Sequence, residues 1–142
     1  NAFMWHSPVL GTRVLLTTIE GSPGTSIGMA YYSETGVGWE LLRTIFPSDD
    51  TYPFIISPEP FVYRDSSYVS YALSTRPPGG EAVIWIAGLD PGSDLFRRVS
   101  DDVPRVRRDP EHFVLEDQVW VFYGEIHPDT DKMVIRRCLA GL

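Results

Sequence analysis

The sequence predicts an all-β fold made of repeated four-stranded antiparallel units, and three observations carry that prediction. First, 12 Gly and 12 Pro are spread in small clusters such as "EGSPG" (20–24), "RPPGG" (76–80), "DPGSD" (90–94) and "HPDTD" (127–131). These turn signals fall between short runs rich in Val, Ile, Tyr, Phe and Trp. Second, no segment sustains a 3.6-residue apolar period, and prolines interrupt most candidates for a helix. Third, "SPEPFVYRDSSYVSY" (57–71) is written again as "DPEHFVLEDQVWVFY" (109–123), with Pro58, Glu59, Phe61, Val62, Asp65, Val69 and Tyr71 recurring as Pro110, Glu111, Phe113, Val114, Asp117, Val121 and Tyr123.

The repeat sets the elements in order. The second copy reads as four strands, about 60–65, 67–75, 81–88 and 94–99, and the third as 112–116, 118–126 and 132–139. In the first, "SPVLGTRVLLTTI" (7–19) stands for the first two strands, and "SIGMAYYS" (26–33) and "WELLRTIF" (39–46) supply the others. A four-stranded unit recurring every few tens of residues cannot cover both of its faces alone, so copies stack; this is the signature of a β-propeller blade. The 142 residues thus form a single domain of three blades, spanning about 1–50, 51–103 and 104–142. The third copy ends after its third strand at "MVIRRCLAGL", while "NAFMW" (1–5) precedes the first copy. Residues 1–5 are therefore expected to complete a last blade, that of a partner chain. Two chains head to tail would close a six-bladed ring with C2 symmetry. The alternatives are a piece of a longer propeller or an open stack.

Composition narrows the function classes. Hydrophobic content of 43% and aromatic content of 13% suit a packed core, and a chain of this length hides roughly 70% of its unfolded surface. The net charge of −7 repels nucleic-acid phosphates, although Arg97, Arg98, Arg105, Arg107 and Arg108 form a local basic cluster, read as an ion-paired loop or an anion-binding patch. No apolar run approaches the ~18 residues of a membrane span. "NAFMWHSP" shows neither the basic n-region nor the apolar h-region of a signal peptide, and no motif assigns a compartment. Cys138 is the lone cysteine, which excludes an internal disulfide. His6, His112 and His127 lack paired metal-ligand spacing, and the aspartates of 90–102 and 127–131 lack a calcium-loop pattern. No metal or cofactor is expected. Nucleotide-binding glycine loops and a G-x-S-x-G elbow are absent as well.

Several segments resemble known propellers. "SIGMAYYSETGVGWELL" (26–42) looks like the third-to-fourth strand segment of sugar-cleaving propellers, and within it Glu34, Gly36 and Trp39 sit like a degenerate sialidase Asp-box, with Gly38 in place of Thr. "RDPEHFVLEDQVWVFYGE" (108–125) is similar to the inner-strand segments of furanosidase-type glycoside hydrolases, and "IWIAGLDPGSDLFRRVSDD" (84–102) reads like TolB-type repeats. The furanosidase resemblance implies carboxylates that converge from the inner-strand starts of different blades on a central funnel. Asp109 matches the family's inner-strand Asp, whereas Ser57 and Ser7 are read at the same place in the other copies. Glu59 and Glu111, two residues on, point to the same side, and His6 and His112 are read as neighbouring positions.

The expected ligand site is therefore His6, Trp5, Glu59, Asp109, Glu111 and His112, with loops 20–25, 76–81 and 127–131 as its rim. Trp5 is the aromatic expected at the funnel entrance; the other tryptophans and tyrosines are expected between blades. The leading reading is a ligand-binding module for carbohydrate or another small polar ligand. The alternatives are a diverged glycoside hydrolase, with Asp109 as base or nucleophile and Glu59 or Glu111 as general acid, and a protein-interaction scaffold.

Overall fold

A computed structural model describes residues 1–142, and its regular structure is entirely β. The first antiparallel meander comprises β1 (Ala2–Ser7), β2 (Thr12–Ser22), β3 (Thr25–Thr35) and β4 (Gly38–Ile45). β5 (Phe54–Tyr63), β6 (Ser66–Ser74), β7 (Ala82–Gly88) and the short β8 (Phe96–Arg98) form the second. In the third, β9 (Arg107–Leu115), β10 (Gln118–Ile126) and β11 (Met133–Leu139) pair in that order. A single bridge, Ser26↔Ile55, joins the first two meanders edge to edge. The sheets do not close on themselves.

Each unit stacks on the next through apolar faces. Val14, Leu16, Met29, Tyr31 and Ile45 of the first unit pack on Ile55, Val69, Tyr71, Leu73, Val83 and Ala87 of the second. The opposite face of the second unit, with Phe61, Tyr63, Ala72, Ile84 and Ile86, packs on Val119, Val121 and Tyr123 of the third. Alternation along each strand sends successive side chains to the two faces, so the second unit is covered on both.

The inner strands begin earlier than the sequence suggests. β5 starts at Phe54 and β9 at Arg107, because Pro58, Pro60 and Pro110 lie within the strands instead of ending them. Each inner strand is paired on one side, to β6 or β10, along most of its length, which is where a residue without an N–H is tolerated. The register shifts at the same place in both copies, between Ile56 and Glu59 and between Glu111 and Arg108, so Ser57–Pro58 and Asp109–Pro110 are equivalent bulges.

The first unit departs from expectation. Ser7 and Pro8 do not start an inner strand: Ser7 ends β1, opposite Thr12, and Pro8 lies in the turn. Residues 1–5, expected to complete a partner's last blade, instead run along β2 from Ala2↔Thr17 onward, as the inner strand of their own unit. On the side that faces β2, their backbone donors and acceptors are already used within the chain.

Arg107 fixes the junction of the second and third units. Its side chain is fully buried, and it donates from Nε to Glu125 Oε2 at 2.9 Å, from Nη1 to the Ala82 and Val103 carbonyls at 3.0 Å each, and from Nη2 to Asp101 Oδ1 at 2.5 Å. Arg136 Nε donates to the other oxygen of Glu125 at 3.2 Å. A buried charge is tolerable only with partners of this kind. The basic cluster of the sequence is therefore mostly ion-paired or hydrogen-bonded: Arg97 reaches the Gly141 carbonyl at 2.7 Å, and Arg98 lies 3.8 Å from Asp102.

Candidate functional site

The hairpin turns give a common register for the three inner strands. Ser7↔Thr12, Tyr63↔Ser66 and Leu115↔Gln118 are the closing pairs. Counting back from them aligns Asn1 with Ser57 and Asp109, Phe3 with Glu59 and Glu111, Met4 with Pro60 and His112, Trp5 with Phe61 and Phe113, and His6 with Val62 and Val114.

Two equivalent bulge residues meet. Ser57 Oγ donates to Asp109 Oδ1 at 2.8 Å, and both residues hold positive φ, 48° and 53°. Left-handed backbone is unfavourable for non-glycine residues, and such strain concentrates at functional positions. The bulge turns each side chain away from the regular alternation, which lets positions 52 residues apart converge at one end of the stack. Ser70 Oγ donates to the Pro110 carbonyl at 3.3 Å and helps to hold the third unit's bulge against the second unit.

Glu59 and Glu111 follow on the same side. The Glu59 carboxyl is raised above its ordinary value, first by partial burial and then by the charges of Glu111 and Asp109. Desolvation and neighbouring negative charge both disfavour its ionised form. Ser57, Glu59, Asp109 and Glu111 thus form an acidic pole at the starts of the second and third inner strands. Its hydroxyl and carboxylates can accept hydrogen bonds from a polyhydroxylated ligand, and Glu59 can hold a proton to donate. No group of three or more His, Cys, Asp or Glu residues is arranged to hold a metal ion.

Of the six expected site residues the structure brings three together, Glu59, Asp109 and Glu111, adds Ser57, and separates the others. His112 lies next to Glu111 but faces the second unit, where it stacks on Phe61 with centroids 4.4 Å apart and an interplanar angle of 14°. Burial there lowers its pKa, against the opposing charge of Glu111. Trp5 is a packing residue: its indole donates to Ser67 Oγ at 3.2 Å and stacks on Tyr31 at 5.7 Å. His6 is not a neighbour of His112 in register; it falls near the far end of its strand, paired with Arg13. The Ser7-Pro8 dipeptide resembles Ser57-Pro58 in sequence, but the hairpin register places Ser7 with Tyr63 and Leu115. The Asp-box-like residues sit in the β3–β4 hairpin, with Glu34 ion-paired to Arg13.

Asn1 takes the place given to Ser7. Its carbonyl accepts from the Thr18 amide at 3.1 Å, and it shares a cleft of about 190 Å³ with Thr18, Ser26, Ser57 and Pro58. The length of the first turn, four residues against two in the other copies, was the signal that would have located Asn1. Loop 127–131 borders a polar cleft of about 520 Å³ with Arg105, Arg136, Asp101 and Glu125. Beside Asp109 and Glu111 lies a groove of about 500 Å³, whose floor is Phe113, Phe122, Met133 and Ile135.

No family model matches the chain, and no curated protein matches it by sequence. Among solved structures it is similar to an α-L-arabinanase of Penicillium chrysogenum complexed with arabinobiose, with a TM-score of 0.66 and 8% identity over 96% of this chain and 45% of that one. The chain thus spans less than half the length of that enzyme. The likeness shows an all-β, propeller-like fold.

Proposed function

We propose that this chain binds a small polar ligand of the carbohydrate class at the acidic pole formed by Ser57, Glu59, Asp109 and Glu111. The observation that carries the reading is the 2.8 Å hydrogen bond between Ser57 and Asp109. It joins equivalent strained positions of two repeats beside a carboxyl that holds its proton above the ordinary range. The structural neighbour, an arabinanase complexed with arabinobiose, supports a sugar as the ligand class.

A second reading, a diverged glycoside hydrolase, draws on the raised Glu59 carboxyl. A general acid must stay protonated while a second carboxylate stays ionised. Glu59 would then protonate the leaving oxygen, with Asp109 as base or nucleophile.

Hydrolysis of chromogenic furanosides and the melting temperature with arabinobiose, each measured for the wild type and Asp109→Asn, separate the readings. Binding predicts no turnover and a melting temperature that rises with sugar only in the wild type. Turnover lost in Asp109→Asn establishes the hydrolase. Neither effect removes the carbohydrate reading and leaves a protein-interaction scaffold.

A further inference from the structure

Each interface within the chain follows one rule. A unit's inner strand points an aromatic at the next unit, on the side of the residue one register step earlier on the neighbouring inner strand. Trp5 and Pro60 line one cleft between the first two units, and Phe61 stacks on His112 with ring centroids 4.4 Å apart. Phe113 is the third member of this series, and its face has no neighbour: Phe113 is 50% exposed and Ile135 70%. Phe113 shares a register row with Trp120 and Leu139, and Phe122 packs on it edge-on at 5.2 Å.

The rear face of the first unit is open in the same way. Met4, Leu15, Tyr32 and Leu41 form a row in register across all four strands, with Met4 55% and Leu41 51% exposed. Leu15 stands where the second unit has Val69 and the third has Val121, both fully buried against the preceding unit. Met4 stands where the other units have Pro60, which shares a cleft with Trp5, and His112, which stacks on Phe61.

We propose that the open face of the third unit receives the first unit of a second copy of this chain, head to tail, with Phe113 packed on Met4 of the second copy. The contact continues the interface already made twice inside the chain, and no strand is exchanged. Under C2 symmetry the same contact forms twice and closes a six-unit ring, within the range of 4–8 that propellers use. The polar site is incomplete without the second copy. Its rim residues Asp109 and Glu111 border the open face, and closure sets Asn1 of the second copy beside Asp109, as Asn1 already lies across a cleft from Ser57. The proposal stands on the packing faces and is separable from the ligand reading.

Light scattering after size exclusion, at tens of micromolar, tests it with two single-face variants, Phe113→Glu and Met4→Glu. Both sites are exposed, so each variant keeps the wild-type circular dichroism. The expected result is twice the 16.0 kDa chain mass for the wild type and a single chain mass for each variant alone. An equimolar mixture of the two variants retains one intact contact and regains dimer, at weaker affinity than the wild type. A monomeric wild type overturns the proposal. A dimer abolished by Phe113→Glu but not by Met4→Glu also overturns it, because that pattern means two third units meeting face to face. Thermal shift of the wild type with arabinobiose reports the ligand reading separately.

Discussion

Phe61 and Phe113 hold one register position in neighbouring units, yet Phe61 is 5% exposed and Phe113 is 50% exposed. The contrast extends along the strand, where Tyr63 is 7% exposed and its counterpart Leu115 is 43%. The backbones of the two units nevertheless agree in detail. Arg64 and Asp65 close one hairpin with φ of 44° and 60°, and Glu116 and Asp117 close the other with φ of 50° and 59°. Both inner strands bulge at the residue before proline. The repeated sequence therefore specifies the geometry of a unit, while burial is conferred by whichever unit stacks on it. Tyr63 shows the coupling: its hydroxyl donates to the Asp117 carbonyl at 2.6 Å, so the second unit anchors the third unit's turn.

The largest expected effect comes from detaching the third unit. Glu125→Ala leaves the guanidinium of Arg107 buried with one partner removed and should cost about 3–5 kcal/mol in urea unfolding. A smaller cost, near that of a surface substitution, would mean that Arg107 is solvated and that the junction is held by apolar packing alone. Next is the direct comparison of the two aromatics. Phe61→Ala should cost about 3 kcal/mol by opening a cavity against His112 and Val121. Phe113→Ala should stay within about 0.5 kcal/mol when measured dilute enough to hold single chains. Equal costs would break the comparison.

Turn chemistry gives a smaller effect. Glu116 occupies a left-handed position that suits Asn, so Glu116→Asn should stabilise by a few tenths of a kcal/mol, roughly the gain expected from relieving φ strain at one position. The smallest effect is at Glu59. The folded protein binds its proton more tightly than the unfolded chain does. That contribution favours the folded state below the ordinary carboxylate range and is lost as pH rises through the raised folded value. Glu59→Gln should therefore match or exceed wild-type stability at pH 7, within about 0.5 kcal/mol, and lose that advantage near pH 4.

The sequence showed the β class, the three repeats and most outer strands, because turn residues and alternating apolar positions report local geometry directly. β10 and β7 fall within a residue of where the pattern put them. The inner strands were harder to read. Pro58, Pro60 and Pro110 resemble strand breakers, and only the one-sided pairing of these strands makes them tolerable. In the first copy a shared Ser-Pro dipeptide outweighed a two-residue difference in turn length, which moved His6 toward the site and hid Asn1. Of the candidate site, the carboxylates Glu59, Asp109 and Glu111 are legible in the repeat. The Ser57–Asp109 contact was not, because it depends on bulges that no composition or spacing reveals.

The central claim is that these carboxylates form one ligand-receiving pole. Carboxyl-carbon NMR titration of Glu59 tests it most directly, in the wild type, in Asp109→Asn and in the wild type with arabinobiose. Glu59 is expected to titrate above its ordinary value, to move down in Asp109→Asn and to shift when the sugar binds. A Glu59 that titrates at its ordinary value, unmoved by either the substitution or the sugar, would contradict it.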